Sequence, residues 1–416
     1  MALLDHFLSR LIKKGTLTVV DAKGATRRFG VATPGFPDVT MRLNDAKAGR
    51  DIVLHPRLGF AEAYMDGRLS LEGEDIMGLV LLARGNVPWE SGKSLEKRGP
   101  VGKVAKGAMR RVKQANFRAA SRKNVAHHYD LSGALYDLFL DRDRQYSCAY
   151  WADAPQEMSA LSAGLDKAQA DKKAHIAAKL HLKPGMKVLD IGCGWGGMAL
   201  YLHEKCGVDV VGITLSEEQL AVARQRAQDA GVTDHVKFEL IDYRDMKGEF
   251  DRIVSVGMFE HVGVPYYREF FRCCHNLLTP DGVMLLHTIG RMGGPGMTDA
   301  FTRKYIFPGG YIPALSEILQ GSEPNRLMAT DVEALRLHYG LTTRAWYQRV
   351  QEKRAEIEAL YDARFFRMWS LYLAGATAAF EHGGMLVYQV QYARNRHSLP
   401  ITRDYMMEEE ARLRDL

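Results

Sequence analysis

Residues that can exchange protons or form hydrogen bonds follow several apolar segments in the middle of the chain. They are Asp242, Tyr243, Glu260, His261 and His287. Ligands of α/β proteins bind at the carboxyl ends of the strands, so strands predicted at 236–240, 251–256 and 282–287 would bring these side chains together. Each has a structural alternative, since Glu260 can cap a helix and His287 can be a hydrogen-bonded core histidine. Their joint position at one rim of a sheet favours a functional site.

Four further candidates are Tyr146, Ser147 and Cys148, which lie just before the predicted sheet, and Tyr339 in the C-terminal part. Their hydroxyl and thiol groups can donate hydrogen bonds. Cys148 can equally be a small buried residue that only fills space. Each of them, taken singly, is as compatible with a structural role as with a functional one.

A glycine-rich turn follows the apolar segment that ends at Ile191. Gly192, Gly194 and Gly197 match the dinucleotide pattern G-x-G-x-x-G, which also requires an acidic residue about twenty positions later to bind a ribose. The next apolar segment, 208–213, ends in Thr214 and lacks that acid. Glycines at 192, 194 and 196 after Asp190 are instead typical of S-adenosylmethionine-dependent methyltransferases. A turn without a ligand is the alternative.

The elements that position these residues alternate between strand and helix from Lys187 onward. Such alternation predicts a parallel sheet covered by helices on both faces. The predicted strands are 187–191, 208–213, 236–240, 251–256 and 282–287, and the predicted helices are 197–205, 216–230 and 266–278. A final strand, Met385–Tyr392, is expected to close the sheet.

The length of 416 residues predicts two or three domains. We expect a small α+β domain at 1–90, with short strands at Phe29–Gly30 and Val39–Leu43 and a helix at Arg57–Met65. A basic linker or helix would follow at 91–125, and a catalytic domain at 126–416. No apolar stretch is long enough to cross a bilayer. Five cysteines without a C-x-x-C pair argue against a zinc site and a disulfide framework, and so predict no metal and a cytoplasmic location.

The predicted linker is strongly basic. Between Lys93 and Lys123 it carries eleven lysines and arginines and one acid, Glu96, for a net charge of +10 within a chain of net charge +6. An anionic membrane surface would attract such a segment, because each basic residue near it contributes about 1 kcal/mol. Nucleic acid would also attract it, but no interleaved aromatic ladder follows, only Phe117, so no nucleic-acid partner is expected. A solvated spacer is the structural alternative.

Four motifs together resemble the family of cyclopropane-fatty-acyl-phospholipid synthases, which includes the mycolic acid cyclopropane synthases. They are Tyr146–Trp151, the glycine turn, Phe259–Gly263 and Leu286–Gly290. The resemblance covers about His127 to Arg394, and the first region weakly. It implies a class I methyltransferase fold with a Rossmann-like sheet. It also implies an enzyme that uses S-adenosylmethionine to convert a cis double bond of a phospholipid acyl chain into a cyclopropane ring.

The resemblance further implies roles for the candidate residues. In the family, the double bond attacks the sulfonium methyl group, and a bound bicarbonate removes a proton from the new methyl group before the ring closes. Bicarbonate would be held by Cys148, Glu260, His287, Tyr339 and the backbone of Ile289. S-adenosylmethionine would be bound by Tyr146, Ser147, Asp190, Gly192, Gly194, Gly196, Thr214, Leu215, Gln219, Asp242 and Tyr243. Such a site must exclude water, which would quench a carbocation.

Three alternatives remain open at this point. A related enzyme of the same fold could form a methyl or methylene branch or methylate a small molecule, although Glu260, His287 and Tyr339 together favour ring closure. The chain could also be a lipid-binding or scaffold protein without catalysis, or a nicotinamide oxidoreductase. Because family members are often dimers, the resemblance suggests a homodimer. It also implies a peripheral location at the inner face of the cytoplasmic membrane, where the phospholipid substrate lies.

Overall fold

The computed structural model describes residues 2–92, 133–153 and 157–415. These residues form two compact units, of which the first combines residues 2–92 with Asp299–Ile306 and Gly340–Gly384. The second unit holds the other described residues. The domain boundaries drawn from the sequence stay a prediction, and the two units differ from them because Gly340–Gly384 belongs with the N-terminal region. The basic segment from Lys93 onward lies outside the described residues.

Residues 2–92 form a small α+β arrangement. Its elements are α1 (Ala2–Leu11), β1 (Gly15–Val20), β2 (Thr26–Val31), β3 (Asp38–Leu43), α2 (Ala48–Leu54), α3 (Leu58–Met65), β4 (Leu69–Leu71) and α4 (Ile76–Gly85). The strands form a sheet in the order β2-β1-β3-β4, in which only β1 and β3 are parallel. The predicted strands around Phe29 and Val39 and the predicted helix ending at Met65 are confirmed, whereas β1 and β4 were missed.

The rest of the described chain contains ten helices and seven strands. They are α5 (Gly133–Phe139), α6 (Leu161–Leu180), β5 (Lys187–Ile191), α7 (Gly197–Cys206), β6 (Asp209–Thr214), α8 (Glu217–Asp229), β7 (Val236–Leu240), β8 (Phe250–Val256), α9 (Tyr267–Leu277), β9 (Leu278–Arg291), α10 (Leu315–Ser322), β10 (Met328–Leu335), α11 (His338–Glu352), α12 (Arg354–Leu360), α13 (Ala363–Glu381), β11 (Met385–Ala393) and α14 (Asp404–Arg414). In the described part of the chain, no helix is both long and apolar enough to span a membrane.

Helix α13 explains why a C-terminal segment belongs to the first unit. It packs against α3 and α4, and Arg367 Nε donates a hydrogen bond of 2.8 Å to the carbonyl oxygen of Met65. The apolar face of α13 is therefore buried among N-terminal residues that are distant in sequence.

The seven strands form one sheet in the order β10-β11-β9-β8-β5-β6-β7. Strands β5 to β9 are parallel, as predicted, but β11 is antiparallel to β9 and β10 is antiparallel to β11. The expectation that Met385–Tyr392 closes the sheet was wrong, because β11 lies between β9 and β10. Its residues are buried almost throughout, whereas those of β10 are mostly exposed or half-buried, as in an edge strand.

Both faces of this sheet are covered. Leu189 and Ile253 pack on one face with α9, which contributes Phe270 and Phe271. Val188 and other residues on the opposite face pack against α6, α7 and α8. This alternation follows from the period of two residues along a strand, and the predicted α/β sheet with helices on both faces is confirmed.

Replacement of Phe270 by alanine tests the importance of the α9 layer. The side chain is fully buried, so its loss should lower the free energy of unfolding by about 3–5 kcal/mol. Urea denaturation followed by circular dichroism measures the change. Met407→Ala on α14, where Met407 is 72% exposed, is the control and should change stability by at most about 0.5 kcal/mol. Equal losses in both variants would contradict the assignment of α9 to the core.

Candidate active site

The glycine turn joins β5 to α7 in a conformation that other residues rarely adopt. Gly192, Gly194 and Gly196 have φ angles of +84°, +55° and +85°. A Cβ atom on Gly192 would lie 2.8 Å from the Met258 side chain, and one on Gly196 would lie 2.7 Å from the Phe238 ring. No atom lies within 4 Å of the Cβ position of Gly194. The turn is thus close-packed at two glycines and open at the middle one.

A cleft opens at the carboxyl ends of β5, β6, β7 and β8. It measures about 780 Å³ including the open space at its mouth. Seven of the predicted cofactor residues line it: Gly192, Gly194, Thr214, Leu215, Gln219, Asp242 and Tyr243. Apolar side chains that supply much of its wall are Ile191, Ile213, Ile241, Val256, Met258 and Val262. The cleft therefore lies where the strand order predicted it.

Thr214 and Gln219 are held in place by the start of α8. Ser216 caps this helix by accepting a hydrogen bond from the Gln219 backbone N–H at 3.3 Å, and the Thr214 hydroxyl donates to Gln219 Oε1 at 3.0 Å. Both side chains are buried. They present a hydroxyl and an amide where the dinucleotide pattern would have an acid.

Asp242 is fixed by a residue that the sequence did not indicate. Arg244 donates to its two carboxylate oxygens at 2.8 and 2.6 Å, and the pair is buried. The Tyr243 ring packs edge-on against Phe270, with ring centroids 5.3 Å apart. Arg244 also lines the cleft. Its only signal in the sequence is its position two residues after Asp242.

Four of the predicted cofactor residues do not line the cleft. Gly196 contacts Phe238 instead, and Tyr146 packs edge-on against Tyr136. The Ser147 hydroxyl accepts a hydrogen bond of 2.9 Å from the fully buried Lys172. Asp190 is buried in β5, and its Oδ2 atom has no hydrogen-bond partner among the described residues. Burial raises the pKa of Asp190 to about 7, although Lys172 opposes the shift. Their contacts with a ligand stay predictions.

Glu260 lies in a short 3₁₀ turn just after β8 and reaches across to β9. Its Oε1 atom accepts a hydrogen bond of 2.6 Å from the backbone N–H of Ile289. Its Oε2 atom is buried without a hydrogen-bond partner among the described residues. Burial raises the pKa of Glu260 to about 7, while the Ile289 N–H opposes the shift. A carboxyl group with such a pKa is suited to proton exchange near neutral pH.

His287 lies beside the cleft on β9. It pairs with Val256 at the end of β8, and its carbonyl oxygen accepts from the N–H of the cleft residue Gly257 at 2.9 Å. The imidazole is buried, and burial together with the charge of Lys172 and Lys179 lowers its pKa well below the usual range. His287 is therefore neutral, and it lies two residues before Ile289, whose backbone N–H donates to Glu260.

The other two predicted anion-binding side chains come from outside the sheet. Cys148 is fully buried, and its thiol contacts the carbonyl oxygen of Ala149 at 3.3 Å. Tyr339 is buried in the first turn of α11, next to His338, whose Nδ1 accepts from the Trp151 N–H at 2.9 Å. This hydrogen bond joins segment 148–151 to the start of α11. That Cys148 and Tyr339 share an anion site with Glu260 stays a prediction.

This chain is similar to proteins of a known family. The model of the family described as mycolic acid cyclopropane synthetase matches residues 117–390. A cyclopropane-fatty-acyl-phospholipid synthase of Escherichia coli (strain K12) is 38% identical over 371 residues, or 88% of this chain and 91% of the relative. A tuberculostearic acid methyltransferase of Mycobacterium tuberculosis (strain ATCC 25618 / H37Rv) is 33% identical over 394 residues, or 93% and 90% of the two chains.

Solved structures are similar to about two thirds of this chain. A cyclopropane synthase from Mycobacterium tuberculosis has a TM-score of 0.61 and 33% identity, and the match covers 65% of this chain and 98% of that one. A mycolic acid cyclopropane synthase complexed with SAH and CTAB has a TM-score of 0.61 and 34% identity, with the same coverage. The predicted class I methyltransferase fold is confirmed.

Glu260→Gln should change how stability depends on pH. The pKa of Glu260 is about 7 in the folded protein, against an ordinary value of 4.5, so the folded state binds this proton more tightly. The resulting stabilisation is complete below pH 4.5 and is lost as the pH rises to about 7. We expect the free energy of unfolding of the wild type, relative to the variant, to fall by roughly 3 kcal/mol across this window. Urea titrations at several pH values measure it, and a constant difference would contradict the raised pKa.

Proposed function

This chain belongs to the mycolic acid cyclopropane synthetase family, and from that premise we propose that it is a cyclopropane-fatty-acyl-phospholipid synthase. It is an S-adenosylmethionine-dependent methyltransferase. It transfers a methylene group to the cis double bond of an unsaturated acyl chain in a phospholipid, which becomes a cyclopropane ring. The observation that supports this reaction best is the buried Glu260 carboxyl group, which accepts a hydrogen bond from the Ile289 N–H two residues after His287.

The cleft suits S-adenosylmethionine in shape and chemistry. When bound, this cofactor supplies an electrophilic methyl group. Gly192 and Gly194 allow close approach of a ligand to the backbone, and the Thr214 hydroxyl and Gln219 amide are suited to ribose hydroxyls. Apolar walls and Tyr243 would flank the adenine. Asp190 and Ser147 would hold the glycine turn in place, and Tyr146, from the segment before the sheet, would contact the cofactor.

Bicarbonate is the base that we propose for removal of the proton. The Glu260 Oε2 atom can accept the hydrogen of the bicarbonate hydroxyl, and His287 and Tyr339 can donate to its oxygens. The Ile289 N–H already donates to Glu260, so a contact through the Ile289 backbone would use its carbonyl oxygen as an acceptor. Cys148 would pack against the anion. An anion held here also stabilises positive charge that develops on the acyl chain.

Exclusion of water is the second requirement, because water would capture a carbocation before the ring closes. The side chains of Glu260, His287 and Cys148 are all buried. Burial raises the pKa of Glu260 and lowers that of His287, as desolvation does to an acid and to an imidazole. Both shifts support a site with little water.

A methyl-branched product is the second candidate. It is favoured by the similarity to a tuberculostearic acid methyltransferase over 93% of this chain. The two products share methyl transfer, which leaves a carbocation. Ring closure removes a proton from the new methyl group, whereas a methyl-branched product that keeps a double bond forms when a chain carbon loses the proton. The proposed proton-removing groups, Glu260 and His287 with bicarbonate, favour ring closure.

Glu260→Gln should fold and still bind the cofactor but lose turnover by about 100-fold, as expected when a proton-transfer group is removed. The variant and the wild type are expressed in a host without cyclopropane lipids, and the lipids are analysed by mass spectrometry. Wild-type protein should add one CH₂ group and remove the double bond. Glu249→Gln, at an exposed carboxylate, is the matched control and should behave as wild type. Unchanged turnover in Glu260→Gln would remove this residue from the mechanism.

We further propose that the chain acts as a peripheral protein at the inner face of the cytoplasmic membrane, where its basic segment contacts anionic lipid. The net charge of +10 between Lys93 and Lys123 supports this partner. A homodimer is proposed from the family alone. All five cysteines are free, which agrees with a reducing compartment.

Neutralising Arg110, Arg111 and Lys113 together should weaken binding to vesicles that contain anionic lipid. Three lost charges correspond to about 3 kcal/mol at low salt, and the effect should shrink at high salt because counter-ions screen exposed charges. Co-sedimentation with anionic and with neutral vesicles measures it. Neutralising the three exposed lysines Lys183, Lys187 and Lys237 together is the control. If vesicle binding changes neither with these substitutions nor with salt concentration, the segment is only a spacer.

A further inference from the structure

A chain of buried polar side chains extends from His287 through the second unit. His287 Nδ1 lies 3.2 Å from Gln389 Nε2, and Gln389 Oε1 accepts from Lys179 Nζ at 2.8 Å. Lys179 forms an ion pair with Glu333. Glu333 in turn contacts His175 at 2.7 Å, and the other ring nitrogen of His175 lies 2.7 Å from Glu410. Charges along this chain therefore alternate in sign beyond Gln389.

The donors in this chain fix the orientation of the Gln389 amide. A lysine ammonium group has three donors and no acceptor, so the atom of Gln389 that faces Lys179 must be the oxygen. The NH₂ group of Gln389 must then face His287. An amide NH₂ group only donates, and the Nδ1 atom of His287 must therefore be the unprotonated acceptor. A neutral imidazole with a bare Nδ1 carries its proton on Nε2.

Carboxylates hold the Lys179 ammonium group in place. Lys179 and Gln389 are both buried, and the ammonium has a second carboxylate, Asp331, at 3.9 Å. Burial lowers the pKa of His175, but its hydrogen bonds with Glu333 and Glu410 outweigh burial and raise this pKa overall. The His175 ring also stacks on Tyr150 with centroids 4.0 Å apart. The carboxylate that holds Lys179 is thus itself held by a second cation.

We propose that Gln389, oriented by Lys179, is a positioning residue that fixes His287 in the neutral form with its proton on Nε2. This inference rests on the proposed function only in the use of that proton, which His287 would donate to the anion that removes a proton from the new methyl group. An imidazole with the opposite tautomer would present a lone pair to an anion and would repel it. The pairing of Gln389 with His287 across β9 and β11 provides the geometry.

Gln389→Glu is the variant that should invert the tautomer. A carboxylate of nearly the same shape accepts from Lys179 and also accepts from His287, so the proton should move to Nδ1. Full-length protein with ¹⁵N-labelled histidine is studied by long-range ¹⁵N–¹H NMR correlation at pH 7. The His287 signals are assigned by their loss in His287→Gln. Turnover on unsaturated phospholipid should fall by about 100-fold, the effect of losing one preorganised donor, with cofactor affinity unchanged.

Gln391→Glu is the matched control. Gln391 lies two residues along β11, is equally buried, and donates to the Lys179 carbonyl oxygen and to Tyr405. It has no contact with His287 among the described residues. The same chemical change should leave the tautomer of His287 as in the wild type, even if both variants lose thermal stability.

The outcomes separate the inference from the proposed function. A proton on Nε2 in the wild type that moves to Nδ1 only in Gln389→Glu supports the inference. A wild-type signal with the proton on Nδ1 overturns it without any variant, as does an unchanged tautomer in folded Gln389→Glu. An inverted tautomer with full turnover leaves the tautomer assignment standing and contradicts the proposed contact between His287 and the anion.

Discussion

The hydrogen bond from the Ile289 N–H to the Glu260 carboxylate is the contact on which the proposed site depends. It ties the turn that follows β8 to the neighbouring strand β9, at a position two residues after His287. The same contact uses one carboxylate oxygen and leaves the other buried without a partner among the described residues. Burial then keeps the pKa of Glu260 near 7. Strand pairing and desolvation together produce a group that can exchange a proton at neutral pH.

The glycine turn and the acid–base groups belong to one architecture. Parallel strands end at the same edge, so the turn after β5, the capped helix after β6 and the Asp242–Arg244 pair after β7 converge on the cleft. His287 touches this cleft through the hydrogen bond between its carbonyl oxygen and Gly257. The proposed methyl-donor site and proton-removing groups are therefore neighbours in the sheet, although they are distant in sequence.

Features that depend on local sequence could be predicted. The glycines after β5 and the strand and helix bounds around them follow from spacing and apolar content, and the structure reproduces them closely. Strand β10 was missed because its pattern is mostly polar, which is typical of an edge. The contact between Gln389 and Lys179 joins residues about two hundred positions apart, and the membership of Gly340–Gly384 in the first unit depends on packing against α3 and α4. Neither has a local signal.

Isotope retention tests the central claim, that a buried base removes a proton after methyl transfer, most directly. The protein is supplied with S-adenosylmethionine that carries a trideuterated methyl group and with a cis-unsaturated phospholipid, and the product is analysed by mass spectrometry and NMR. The account predicts a cyclopropane that retains two of the three deuterium atoms and has no double bond. A methyl-branched product with all three deuterium atoms would contradict it.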